Sequence, residues 1–146
     1  MTKAFCSDVD IHTITASQVF HIPKEEVTPA LRSRAKAVNF GIVYGIGDYS
    51  LAADIGVSRK EAAAYIESYK NTYPGVAAYL TDVVQKAKET GYVTTLFGRR
   101  RYIPELIATK KTTVSFGERI AMNSPIQGSA ADIIKAAMVR LDRELT

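Results

Sequence analysis

Residues 32–45 read RSRAKAVNFGIVYG, from Arg32 to Gly45. With Arg32 at the origin of a helical wheel, Lys36, Phe40 and Tyr44 fall at about 40°, 80° and 120°. Leu31, Ala35, Val38 and Ile42 fall between roughly 240° and 320°, nearly opposite. One face is therefore apolar and bound for a core. The other carries two cations and then two aromatic rings, in that order along the axis. The cations lie toward the helix N-terminus, where free N–H groups and the helix dipole already favour anions. Phe40 lies about 12 Å further along the axis than Arg32. A nucleoside triphosphate is laid out the same way, charge at one end and an aromatic base at the other. Arg32 can fork onto phosphate oxygens, Lys36 adds a mobile point charge, and Phe40 offers a stacking face. Spacing alone favours a solvated cationic face with two snorkelling rings, since basic residues four apart on a helix are common.

The surrounding sequence supplies the frame. Thr28-Pro29 reads as an N-cap followed by proline at the first helical position, so this helix runs from Pro29 to about Tyr44, where Gly45 and Gly47 break it. Upstream, Asp10 can cap a short helix carrying His12, Thr15, Ala16, Val19 and Phe20, ended by His21-Ile22-Pro23. Downstream, a helical piece covers Tyr49 to Ile55. Ser58 to Glu61 is a capping box opening a helix with Ala62, Ile66 and Tyr69 on one side. Tyr73-Pro74-Gly75 separates it from an amphipathic helix that Gly91 closes. Tyr92 to Leu96 and Arg101 to Ile103 form the arms of a small hairpin. Ser115 to Glu118 reads as a second capping box, and Asn123-Ser124-Pro125 should interrupt the helix it opens. Ala130 to Leu145 is a last amphipathic helix. The expectation is a mainly α fold with one small β-hairpin, in one domain.

Composition sets the outer limits. The chain has 146 residues, 47% hydrophobic and 23% charged, with net charge +4. That is globular composition, and the basic balance permits nucleic acid as a partner. The lone cysteine, Cys6, reads as a small buried hydrophobe in a reducing, cytoplasmic setting. No apolar run approaches the roughly 18 residues of a membrane span, so no membrane partner is expected. Gly41, Gly45 and Gly47 end a helix rather than open one after a strand, which excludes a dinucleotide fingerprint.

Arg32-x-x-x-Lys36-x-x-x-Phe40-Gly41-x-x-Tyr44-Gly45 is similar to motif B of the family A DNA polymerases, the bacterial polymerase I class. Three further blocks follow that family's order: Asp10-Ile11-His12-Thr13, Gly91 to Arg101, and Asn123-Ser124-Pro125-Ile126-Gln127-Gly128-Ser129-Ala130-Ala131-Asp132. The resemblance covers nearly the whole chain. It implies the fingers subdomain of a right-hand polymerase over residues 1–146, with a palm-derived segment from about 115 to 146. It further implies that Arg32 and Lys36 hold the incoming dNTP, that His12 reaches its phosphate tail, and that Phe40 packs on its sugar and base. Tyr44 would sit at the nascent base pair. Arg119, Asn123 and Gln127 match residues that touch the DNA primer–template near its growing end.

Read from the sequence alone, several of these residues keep a second meaning. His12 is also a first-turn polar residue, Tyr44 a ring packed on a neighbouring helix, and Asn123 a cap before Pro125. The Arg99–Arg101 turn suits phosphates or an intrachain ion pair. Gly128 either admits a close neighbour or ends a helix. The family's Mg2+ carboxylates are expected before Asp10 and after Leu145, on the remainder of the polymerase chain. Asp48-Tyr49-Ser50 imitates the first carboxylate motif, but it follows the nucleotide helix and lacks the motif's continuation. No catalytic or metal-binding residue is therefore assigned here. The alternative is a stand-alone helical module that binds nucleic acid or nucleotide without chemistry.

Overall fold

The computed structural model describes Cys6 and residues 10–145. The chain divides into two compact units, the first ending at Tyr79 and the second beginning at Leu80.

The first unit is helical. Its elements are α1 (Ile11–Phe20), a 3-10 turn (Lys24–Glu26), α2 (Pro29–Val43), α3 (Asp48–Ile55), α4 (Arg59–Thr72) and the start of α5 (Pro74–Thr90). The caps are those expected from the sequence. Asp10 accepts from the Thr13 amide at 2.9 Å, Thr28 from the Leu31 amide at 3.3 Å, and Ser58 and Glu61 close a reciprocal box. The apolar stripe of α2 goes inward as the wheel requires, with Ala35, Val38 and Ile42 buried. They join Ala16 and Val19 of α1, Leu51 and Ile55 of α3, and Ala62 and Tyr69 of α4 in the buried set.

The end of α2 explains two glycines of the motif. Gly45 takes a left-handed φ of 71°, and its amide donates to Ile42 O (3.0 Å), while Ile46 N donates to Gly41 O (2.8 Å). This is a Schellman closure, which folds Ile46 back onto the last turn. A Cβ on residue 41 would lie 2.6 Å from Ile46 Cγ2, so the returning chain needs glycine there.

The second unit holds the rest of α5, a two-stranded antiparallel hairpin of β1 (Tyr92–Thr94) and β2 (Arg100–Tyr102), a 3-10 turn (Pro104–Ile107) and α6 (Lys111–Leu145). Tyr92 pairs with Tyr102 and Thr94 with Arg100. The core is Ala87, Val93, Ile103, Leu106 and Ala121, flanked by Val83, Val84 and Ile120.

Three expectations are corrected. No box at Ser115 opens a helix: α6 begins four residues earlier, and Glu118 pairs instead with Lys88 at 2.6 Å. Nor does Asn123-Ser124-Pro125 interrupt α6, which continues for 35 residues with Pro125 inside. Packing is the reason. Gly117, Ala121, Ser124 and Gly128 recur at helical spacing and form a small-residue seam against the rest of the unit. A Cβ at 117 would meet Glu105 Cβ at 3.0 Å and Leu106 N at 3.1 Å, and one at 128 would meet Thr95 Cγ2 at 2.6 Å. Buried Gly117, Ala121 and Ser124 before Pro125 and Ser129 after it hold the helix through its proline. Gly128 thus admits a close neighbour and ends nothing. Third, Cys6 is exposed rather than buried, because it lies in a turn rather than within either core.

Candidate functional site

The first unit brings His12 to the α2 stripe. Arg32, Lys36, Phe40 and Tyr44 are all exposed along one side of α2. The Phe40 and Tyr44 rings stack at 6.2 Å and 21°, and Lys36 Nζ lies 5.9 Å from the Phe40 centroid. The His12 ring stands 5.8 Å from Phe40, tilted by 47°. His12 sits on the first turn of α1, so two helices contribute to one surface of cations, an imidazole and two rings.

Two residues that sequence reading did not place in the site organise it. Asp10 was expected as a cap alone. Its carboxylate also accepts a fork from Arg32, Nε to Oδ2 at 3.0 Å and Nη2 to Oδ1 at 2.9 Å. One carboxylate therefore ties the start of α1 to the first turn of α2. Arg32's hydrogen bonds hold the Asp10 carboxyl down at about 2, with the Thr13 amide and hydroxyl adding to the effect. The fork uses Nε and Nη2, so Nη1 takes no part in it.

Asn39 is the second. It lies at about 340° on the wheel, between the apolar face and the cationic stripe. It is buried, with Nδ2 3.0 Å from His12 Nδ1 and 3.1 Å from Thr15 Oγ1. The Thr15 hydroxyl donates to Asn39 Oδ1 at 3.2 Å and lies 3.5 Å from the Tyr73 hydroxyl, which donates to Gln18 Oε1 at 2.6 Å. A buried polar chain thus runs from the end of α4 to His12. Burial lowers the His12 pKa from its ordinary value, Asp10 opposes that, and Arg32 and Lys36 add to it. A polar residue next to Val38 and one turn from Ala35 was the available signal for Asn39, since a buried amide requires partners.

The second unit carries Arg119, Asn123 and Gln127. Because α6 is unbroken, their spacing of four places them on one gently drifting stripe. Arg119 and Gln127 are exposed, and the Arg119 guanidinium lies 6.0 Å from the Phe116 ring. Asn123 Oδ1 is buried without a hydrogen-bond partner. Gln127 also lines a small cleft of about 60 Å³ with Thr95, Arg99, Arg101, Ser124 and Gly128. Here the arginine turn resolves residue by residue. Arg99 donates to Asp132 Oδ1 at 2.7 Å and to Gly128 O at 3.1 Å, so it is an intrachain tie between hairpin and helix. Arg100 lies 4.7 Å from the Tyr92 ring centroid.

Asp48, at the start of the imitation motif, is tied within the chain: its carboxylate accepts from Arg59 at 2.6 Å and from its neighbour's amide. Among the described residues no three His, Cys, Asp or Glu converge as a metal would need. No helix among the described residues is long and apolar enough to cross a membrane.

Comparison with known proteins gives a consistent result. The model of DNA polymerase family A matches residues 1–146. The chain is 59% identical over 145 residues to DNA polymerase I of Bacillus subtilis strain 168, covering 99% of the chain and 16% of that protein. It is 56% identical over 145 residues to DNA polymerase I of Bacillus caldotenax, with the same two coverages. In structure it is similar to the POL domain of Pol1 from M. smegmatis, solved in complex with DNA primer-template and dNTP. The TM-score is 0.91 and the identity 45%, over 98% of this chain and 25% of that one. The chain spans about one sixth of the length of the curated relatives it matches.

Proposed function

Because the chain belongs to DNA polymerase family A, we propose that its first unit grips the incoming dNTP and its second unit reads the primer–template. The protein it serves is a DNA-directed DNA polymerase of the bacterial polymerase I kind, cytoplasmic, acting in replication and repair. In that reading residues 1–146 are the fingers with a palm-derived segment from about 115, and the remainder of the polymerase chain is a partner.

The observation that carries the reading is the convergence of His12 with the α2 stripe. Its ring stands 5.8 Å from Phe40. Arg32 meets the triphosphate with the end of the guanidinium that Asp10 leaves open, and Lys36 adds charge one turn on. Phe40 takes the sugar and base, and Tyr44 continues that surface to the nascent pair. Arg119, Asn123 and Gln127 then lie along the minor groove, whose acceptor pattern is nearly independent of sequence. A polymerase accepts every template, so a degenerate reader suits it. The carboxylates that would hold the family's Mg2+ are expected elsewhere in the polymerase, and the metal would supply activation of the primer hydroxyl and stabilisation of the leaving pyrophosphate. The chain alone selects a nucleotide and does not join one.

The test is titration of a fluorescent dATP analogue against the chain and its Arg32→Ala variant. Loss of a charged hydrogen-bond donor should weaken binding roughly tenfold. Equal affinities would sink the assignment. Magnesium-dependent primer extension by the pure chain would overturn the statement that it cannot join nucleotides.

A further inference from the structure

We infer that Asn39 is a positioning residue that holds His12 as a neutral imidazole with its proton on Nε2, so that the site offers a phosphate an N–H donor rather than a second lone pair or a third cation. The inference deepens the dNTP-binding reading and rests on it for the identity of the ligand.

Hydrogen-bond accounting at Asn39 carries it. The side chain has two N–H groups and one carbonyl oxygen. With Nδ2 toward His12, one hydrogen goes to His12 Nδ1 (3.0 Å), the other to Thr15 Oγ1 (3.1 Å), and Oδ1 takes the Thr15 hydroxyl (3.2 Å). Every group is used. Turning the amide over would put Oδ1 against His12 and leave one N–H buried with no acceptor, an arrangement protein interiors avoid. The interior chain through Thr15, Tyr73 and Gln18 fixes the amide from behind. His12 Nδ1 must then carry a lone pair, and the ring's proton sits on Nε2.

The charges around the ring agree. On its own helix Asp10 favours the imidazolium. From α2, Arg32 and Lys36 oppose it, as does burial of the ring. The uncharged Phe40 ring covers one side at 5.8 Å. Protonating Nδ1 would turn it against the Asn39 N–H and break the network. His12 therefore gives its hydrogen bond through the neutral range without changing the charge of the site, which Arg32 and Lys36 set.

Imidazole ¹⁵N NMR of the ¹⁵N-histidine-labelled chain tests this. The sequence holds two histidines, so a His21→Gln variant assigns the signals. The expected spectrum has His12 protonated at Nε2 and bare at Nδ1, titrating below the ordinary 6.5. A proton on Nδ1, or a mixture of tautomers titrating at the ordinary value, overturns the proposal.

Asn39→Asp should reverse it. A carboxylate accepts but cannot donate, so the proton moves to Nδ1, the titration rises, and dATP affinity falls roughly tenfold. A folded Asn39→Asp chain with the wild-type tautomer and titration also overturns it, since a merely structural Asn39 would leave both unchanged. Adding dATP to wild type should move Nε2 and spare Nδ1. If dATP binds in an Arg32-dependent way while Nε2 stays still, the donor role of His12 fails. A wild-type chain that binds no dATP defeats the functional reading instead, and the tautomer measurement still decides the role of Asn39.

Discussion

The two helices that carry the candidate contacts, α2 and α6, hold their polar groups in opposite states. On α2, Arg32 is already forked onto Asp10, and Asn39 is bonded to both Thr15 and His12. On α6, Asn123 Oδ1 has no partner, while Arg119 and Gln127 face solvent. The first surface is organised before a ligand arrives, and the second waits for one. This suits the proposed ligands. A small flexible triphosphate gains most from donors whose orientation is already fixed. A duplex brings its own rigid row of groove acceptors and can order a helix face as it docks.

The difference makes opposite forecasts for the same kind of substitution. The largest effect belongs to Asn39→Leu. Removing the amide leaves buried Thr15 and half-buried His12 short of partners, so the chain should lose about 1–3 kcal/mol, read from the urea midpoint. Unchanged stability would mean that α2 is no more pre-bonded than α6, and the comparison would fail.

Asn123→Leu should behave in reverse. It deletes a buried carbonyl that already lacks a partner, so stability should stay within about 0.5 kcal/mol or rise. Primer–template affinity, measured by fluorescence anisotropy at fixed salt, should still fall roughly fivefold, as for loss of a modest hydrogen bond. A large loss of stability would show that Asn123 serves the interior rather than DNA.

The smallest effect concerns the exposed end of the α2 network. Asp10 sits at about 2 rather than 3.8 because Arg32 holds it ionised. Stability from the pair is full above 3.8 and is lost as pH falls through about 2. With side chains 46% and 39% exposed, solvent screens the pair to at most about 1 kcal/mol. Asp10→Asn keeps a capping oxygen but loses the charge. The stability gap between wild type and this variant should therefore narrow across that window. A gap that persists to the acid end would assign the effect of Asp10 to capping alone.

Much of this was legible in the residues themselves. The α2 wheel sorted Ala35, Val38 and Ile42 from Arg32, Lys36 and Phe40 because burial follows the 3.6-residue period. Capping at Asp10, Thr28 and Ser58 was readable because a cap acts over three residues. Pro125 misled for a related reason. Its local rule is correct, but the seam of Gly117, Ala121, Ser124 and Gly128 outweighs it. Small residues carry so little hydrophobic signal that such a seam does not announce itself as a core face. Only once α6 proves continuous do Arg119, Asn123 and Gln127 share one stripe.

By itself, then, the sequence determined the family, the helices with their caps and inward faces, and the order of cations and rings on α2. The helices, caps and α2 order follow from spacing within one segment, and the family from four such segments in order. Tertiary structure decided what those groups are doing. That Asp10 clasps Arg32 across 22 residues, that Asn39 reaches His12 across 27, and that Arg99 is tied to Asp132 rather than open to phosphate are long-range facts. A buried polar group takes whichever partner the packing brings within 3 Å or so, and no local pattern names that partner in advance.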